Sequence, residues 1–297
     1  MLQFNLPARV GTGFGLAFLI LLAACGNRPQ APQAVAPVGS ATSVAQTLAR
    51  LDALLPTDAI LLGEQHDAPE HQVIAQQVVA ALAVQNRLAA LTIEMADAGT
   101  GTGLLRPGAS EDEARRALSW NERGWPWRAY GPVVMAAVRA GVPVLGANLP
   151  AAQTRPAMLD AALDSQLPVQ AMQTQQESIR SGHCDLLPAS QLLPMARVQI
   201  ARDRSMAQTV AQAALPGKVV VLLAGSGHVN RELGMPHYLP ATLDAKAVRL
   251  AADGGTRSDP AFDAVWPTPP TPPTDYCAGL RKRLAPGSAP ALSSPAS

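Results

Sequence analysis

The chain has 297 residues and is 48% apolar, enough for one large core or two modest ones. Only 15% of residues are charged, and 23 Lys+Arg against 22 Asp+Glu leave a formal net charge of +1. That balance offers no basic field to nucleic acid, and 4% aromatic residues leave little surface for stacking bases.

The first segment reads as an export signal over residues 1–24. Arg9 gives a positive start, and an apolar stretch from Val10 to Ala24 follows, too short and too rich in glycine to span a bilayer comfortably. It ends Leu22-Ala23-Ala24-Cys25, which resembles the lipobox of bacterial lipoproteins, where lipid is attached to the cysteine thiol. Gly26 follows the cysteine and no aspartate is there. By resemblance to bacterial sorting rules this points to a lipid anchor on the periplasmic face of the outer membrane. Residues 25–42 are rich in Pro, Ala and Gln and form a flexible tether with no core-forming pattern.

Residues 43–284 read as the folded domain. Short apolar runs at 59–62, 91–95, 142–147, 218–224 and 247–250 fit strands buried on both faces. Helical patterns lie between them, at 71–87, at 131–140 with Pro132 in the first turn, and at 192–214. This alternation predicts an α/β fold, a largely parallel central sheet flanked by helices. The stretches around 104–130 and 151–215 lack strand patterns and predict helical insertions, a mostly helical subdomain. Residues 285–297, mostly Pro, Ser and Ala, read as a disordered tail.

Ligands of open α/β sheets bind beyond the carboxyl ends of the strands. The first strand runs into Gly63-Glu64-Gln65-His66, followed by Asp67 and His71. The second carries Glu94, and the fourth runs into Gly225-Ser226-Gly227-His228. If these strands are parallel neighbours, Glu64, His66, Glu94 and His228 converge on one crevice. Imidazoles and carboxylates there can bind a divalent metal or activate a water. The bland reading is a buried Glu–His network that only fixes strand ends. Ser226 has glycine directly on both sides, so it is not a Gly-x-Ser-x-Gly nucleophile.

Residues 120–130 hold three of the four Trp and one of the three Tyr. They read either as an aromatic plug or as a pocket wall for a flat apolar ligand, with Arg123 or Arg128 meeting its carboxylates. His183 stands beside Cys184. Cys184 and Cys277 are either a disulfide or two buried thiols, since spacing alone does not decide geometry.

Three segments resemble the ChaN-like haem-binding lipoproteins: Leu62–Asp67 with His71, the Trp-Pro-Trp-x-x-Tyr run ending at Tyr130, and Leu223–Val229. The Gln-x-x-Arg-Asp pattern at 199–203 fits as well. The likeness spans roughly residues 45–280. It is a family grouped with the Tiki and TraB proteins and the erythromycin esterases. The resemblance implies haem as cofactor, bound face to face in pairs at a homodimer interface, and a part in iron uptake with an outer-membrane haem receptor as partner. It implies Tyr130 as the iron ligand, with His183 and His66 as alternatives; a phenolate suits ferric iron. The hydrolytic relatives imply a second reading, a hydrolase, with or without a metal, built on Glu64, His66 and His228.

Overall fold

The structure, a computed structural model, describes residues 42–253 and 258–284. Residues 1–24, read above as a signal peptide, Cys25, nearly all of the stretch 25–42 read as a tether, and residues 285–297 lie outside the described residues. Among those described, six strands form one sheet: β1 (Ala59–Glu64), β2 (Leu88–Asp97), β3 (Val144–Asn148), β4 (Val219–Gly225), β5 (Ala245–Ala251) and β6 (Ala264–Pro267). Their order is β3-β2-β4-β1-β5-β6, and every pairing is parallel. The helices are α1 (Val44–Asp52), α2 (Pro69–Val84), α3 (Glu111–Ala117), α4 (Trp127–Arg139), α5 (Thr154–Leu159), α6 (Val169–Gly182), α7 (Ala189–Ala213) and α8 (Tyr276–Leu284). This is the expected α/β architecture. No helix among the described residues is long and apolar enough to cross a membrane.

Side chains alternate across a strand, so each apolar run feeds two cores. Ile60 and Leu62 of β1 share one core with Ile74 and Val78 of α2 and Val134 of α4. Ala59 and Leu61 face the other way, into a core with Met206, Ala207 and Val210 of α7. A third core joins Leu163, Met172, Ile179, Leu192 and Ile200 and belongs to the helical insertion after β3. The 25-residue helix α7 serves both, its first half in the insertion and its second half on the sheet.

Several boundaries differ from the sequence reading. The stretch at 104–130 holds the short helix α3 and the start of α4, and its Ala114 and Leu118 join the core shared with α2. Helix α4 starts at Trp127, so Pro132 lies inside it rather than in its first turn. Strand β6 was not foreseen. Its four residues run into the Pro-rich segment, and it is held at the sheet edge by pairing with β5 and by burial of Trp266.

Candidate functional site

The carboxyl ends of β1, β2 and β4 lie side by side. Register places Glu64 opposite Gly225. The β2–β4 ladder stops at Ile93–Leu223, and there Glu94 takes over: its Oε2 accepts the Gly225 N–H at 2.7 Å. Gly225 also leaves room for an imidazole, since a Cβ there would stand 3.0 Å from His66 Nε2. Buried carboxylates on strands need such donors, because an unpaired one is costly.

The polar groups then form one continuous chain. Glu64 Oε1 accepts from the Tyr130 hydroxyl and from His66 Nδ1–H, both at 2.8 Å, and its Oε2 accepts from Gln72 Nε2 at 2.5 Å. His66 Nε2 lies 3.9 Å from Glu94 Oε2. Glu94 Oε1 is 3.4 Å from His228 Nε2, and His228 Nδ1–H donates to Asp203 Oδ1 at 2.6 Å. The sequence thus brings together Glu64, His66, Glu94 and His228 as expected for parallel neighbours. It adds Asp203 from α7 and Gln72 from α2, neither of which had been assigned a role. Asp203 had a readable mark: it sits in register with Ala196, Ile200, Ala207 and Val210 on the buried stripe of α7.

Electrostatics follow from burial and pairing. Burial opposes the charge on His228, but Glu94 and Asp203 outweigh it and push its pKa up to about 10. Burial alone would raise Glu94, yet the His228 imidazolium, His66 and the Gly225 N–H pull it down to about 2. Burial raises Asp203 to about 6 against the pull of His228. His66 loses part of its hydration, but the bond to Glu64 and the charge of Glu94 leave its pKa raised. His71 takes no part in this chain. Its Nδ1 accepts the Gln65 N–H, its Nε2–H meets Thr268 Oγ1, and burial lowers it to about 4, so it is a neutral tie between the β1 loop and the strand edge.

A cleft of about 660 Å³ opens above these strand ends. Its floor is Glu64, His66 and the Gly225–His228 turn, and its far wall is α6, including Ile179 and His183. His66 is the network member that meets solvent, with 40% of its side chain exposed. His183 Nδ1 bonds the Ile179 carbonyl at 2.7 Å, which leaves Nε2 as the free ring nitrogen. Left-handed backbone at Cys184 and Asp185 then turns the chain toward α7. Cys184 is bridged to Cys277, so Tyr276 also reaches the cleft. A larger groove, about 1220 Å³, lies beside β3, but its charged groups are only Asp160 and Arg204, and no imidazole lines it.

Other expected residues fall elsewhere. Tyr130 is 2% exposed and donates its hydroxyl to Glu64. Burial and the Glu64 charge push its pKa far up, so in this structure its hydroxyl stands as a buried donor to Glu64. Arg123 and Arg128 are exposed and do not line the cleft. The tryptophans form a plug rather than a cleft wall. Trp120 and Trp127 meet edge to face at 4.9 Å, Trp127 Nε1–H donates to Glu111, and Trp125 backs the His66 ring at 4.8 Å. A divalent metal finds no donor set: among the described residues, no three His, Cys, Asp or Glu side chains are arranged to hold one. The Glu64 and Glu94 oxygens are instead taken by protein donors and imidazoles.

Fold and site define the chain as a parallel α/β protein with an acid–imidazole network at the strand ends and a helical insertion over it. The family described as haem-binding uptake, Tiki superfamily, ChaN matches residues 50–239, more than half of the chain, and the chain belongs to that family. Among solved structures it is similar to ChaN of Campylobacter jejuni with cofacial haem, at 22% identity and a TM-score of 0.56, covering 69% of this chain and 85% of that one. It also matches the type III effector HopBA1, at 16% identity and a TM-score of 0.44, covering 80% of this chain and 100% of that one. No curated protein matches the sequence.

Proposed function

We propose that this chain binds haem as part of a haem-uptake system. The observation that carries the reading is the family match over residues 50–239, which contains the whole acid–imidazole network. The cleft suits the iron side of haem. Ile179 and Leu233 supply apolar contact, and His183 presents Nε2 while its Nδ1 is tied to a carbonyl, the usual way a protein orients a metal-binding imidazole. The phenol of Tyr276 stands at the same mouth. His183 and Tyr276 would hold and orient haem at this mouth, and haem would supply a ferric iron there.

No Lys or Arg lines this cleft, so the propionates find no cation within it. A homodimer with paired haems is part of the proposal, by similarity to the ChaN structure with cofacial haem. The lipid on Cys25, the tether and a place on the inner side of the outer membrane complete it. They rest on the lipobox-like Leu22–Cys25 run and would hold the cleft near a membrane transporter.

Titration of the purified protein with ferric haem tests the reading, followed by the Soret band. Saturable binding at micromolar protein is expected, and its absence rejects a haem carrier. His183→Ala and Tyr276→Phe separate the iron ligands, since only loss of the true one changes the ligand-field bands. Cys25→Ser should move the protein from the membrane fraction to the soluble one; unchanged fractionation rejects the anchor.

One observation favours a second reading. The buried Glu64 carboxylate holds His66 Nδ1–H and leaves Nε2 open to the cleft, the arrangement of a general base oriented by a carboxylate. Turnover of simple esters by wild type but not by His66→Ala would establish a metal-free hydrolase; equal rates would reject it.

A further inference from the structure

Helix α8 is an odd element for a folded domain. None of residues 276–282 is buried, so over these residues the helix lays no apolar face against the core. A nine-residue helix in water is marginal by itself. It lies beyond the residues matched by the family. Two links fasten its first turn. Cys277 is bridged to Cys184 at the end of α6, across 93 residues of sequence. The neighbouring Tyr276 hydroxyl donates to Asp67, in the loop that carries His66.

These two links sit at two different segments that line the cleft. Cys184 follows His183 at the end of α6, and Asp67 follows His66 in the loop after β1. The first turn of α8 therefore ties these two lining segments together beside the cleft, and the disulfide carries most of that attachment because a single exposed hydrogen bond contributes little.

We infer that α8 is a disulfide-locked strap: the Cys184–Cys277 bridge holds Tyr276 at the mouth, and its reduction frees α8 and opens the cleft. The inference rests on reading this cleft as the ligand site. The chemistry is a two-electron exchange with a dithiol. Its thiolate attacks one sulfur of the bridge to form a mixed disulfide, and its second thiolate resolves that bond. Cys184 and Cys277 leave as thiols with two protons gained, and the dithiol leaves as its own disulfide.

Access to the cleft is measured without haem by diethyl pyrocarbonate modification of the histidines, mapped by peptide mass. His66 and His183 should react several-fold faster after dithiothreitol treatment, and equally so in the Cys184→Ser/Cys277→Ser variant, while exposed His237 keeps its rate. Equal rates at His66 and His183 with the bridge closed and open overturn the strap. The double-serine variant is then mixed with ferric haem, which avoids reducing the iron. Faster association than wild type is expected. Failure of both proteins to bind haem would reject the haem reading, while the histidine rates still decide the strap.

Discussion

Glu94 and His228 meet 3.4 Å apart, both largely shut off from water. A pair of this kind is costly to break from one side, because the partner is left as a buried lone charge. His228→Ala should therefore cost about 3–5 kcal/mol of stability, read from chemical denaturation. The pair also sets a pH dependence. His228 is raised from 6.5 to about 10, so its contribution is complete below pH 6.5 and is lost as pH climbs toward 10. Glu94 is lowered from 4.5 to about 2, so its contribution holds above pH 4.5 and is lost as pH falls toward 2. Melting temperature should fall along the alkaline limb, and His228→Gln should flatten that limb; an unchanged alkaline limb would place the charge elsewhere. Tyr130→Phe removes a donor from the buried Glu64 and should cost about 1–3 kcal/mol while leaving the haem spectrum as in wild type. A changed spectrum would return Tyr130 to the iron.

At the scale of elements, the β1 end and the β4 turn touch so closely that glycine is required. A Cβ on Gly63 would lie 2.4 Å from Val229 Cγ2 and 2.9 Å from the Ser226 Cα. Gly63→Ala should therefore push the β4 turn aside and cost about 1–3 kcal/mol, seen as a lower melting temperature. The strands that meet here were legible in the sequence, because a strand buried on both faces is a short unbroken apolar run. Residues 219–225 of β4 show it most plainly. Strand β6 was not legible: four residues beside a run of prolines carry too little pattern. The start of α4 was hidden for a related reason, since Trp-Pro-Trp reads as a loop until the Trp120 and Trp127 rings pack together.

For the whole molecule, the proposed dimer has a direct consequence. Haem addition should double the mass seen by light scattering, and a mass unchanged at saturation would reject the paired arrangement. The chain by itself determined the class of fold, since strand and helix periods alternate along it. It also placed Glu64, His66, Glu94 and His228 together, since each lies in or just after the end of a buried strand and parallel strands align their ends. Which of those groups meet water was decided only in three dimensions. Tyr130 and Asp203 lie on helices whose burial depends on partners more than 60 residues and about 25 residues away, at Glu64 and His228. The bridge that brings Tyr276 beside His183 spans 93 residues. Contacts of that separation come from packing the layers together, and no local pattern of residue types encodes them.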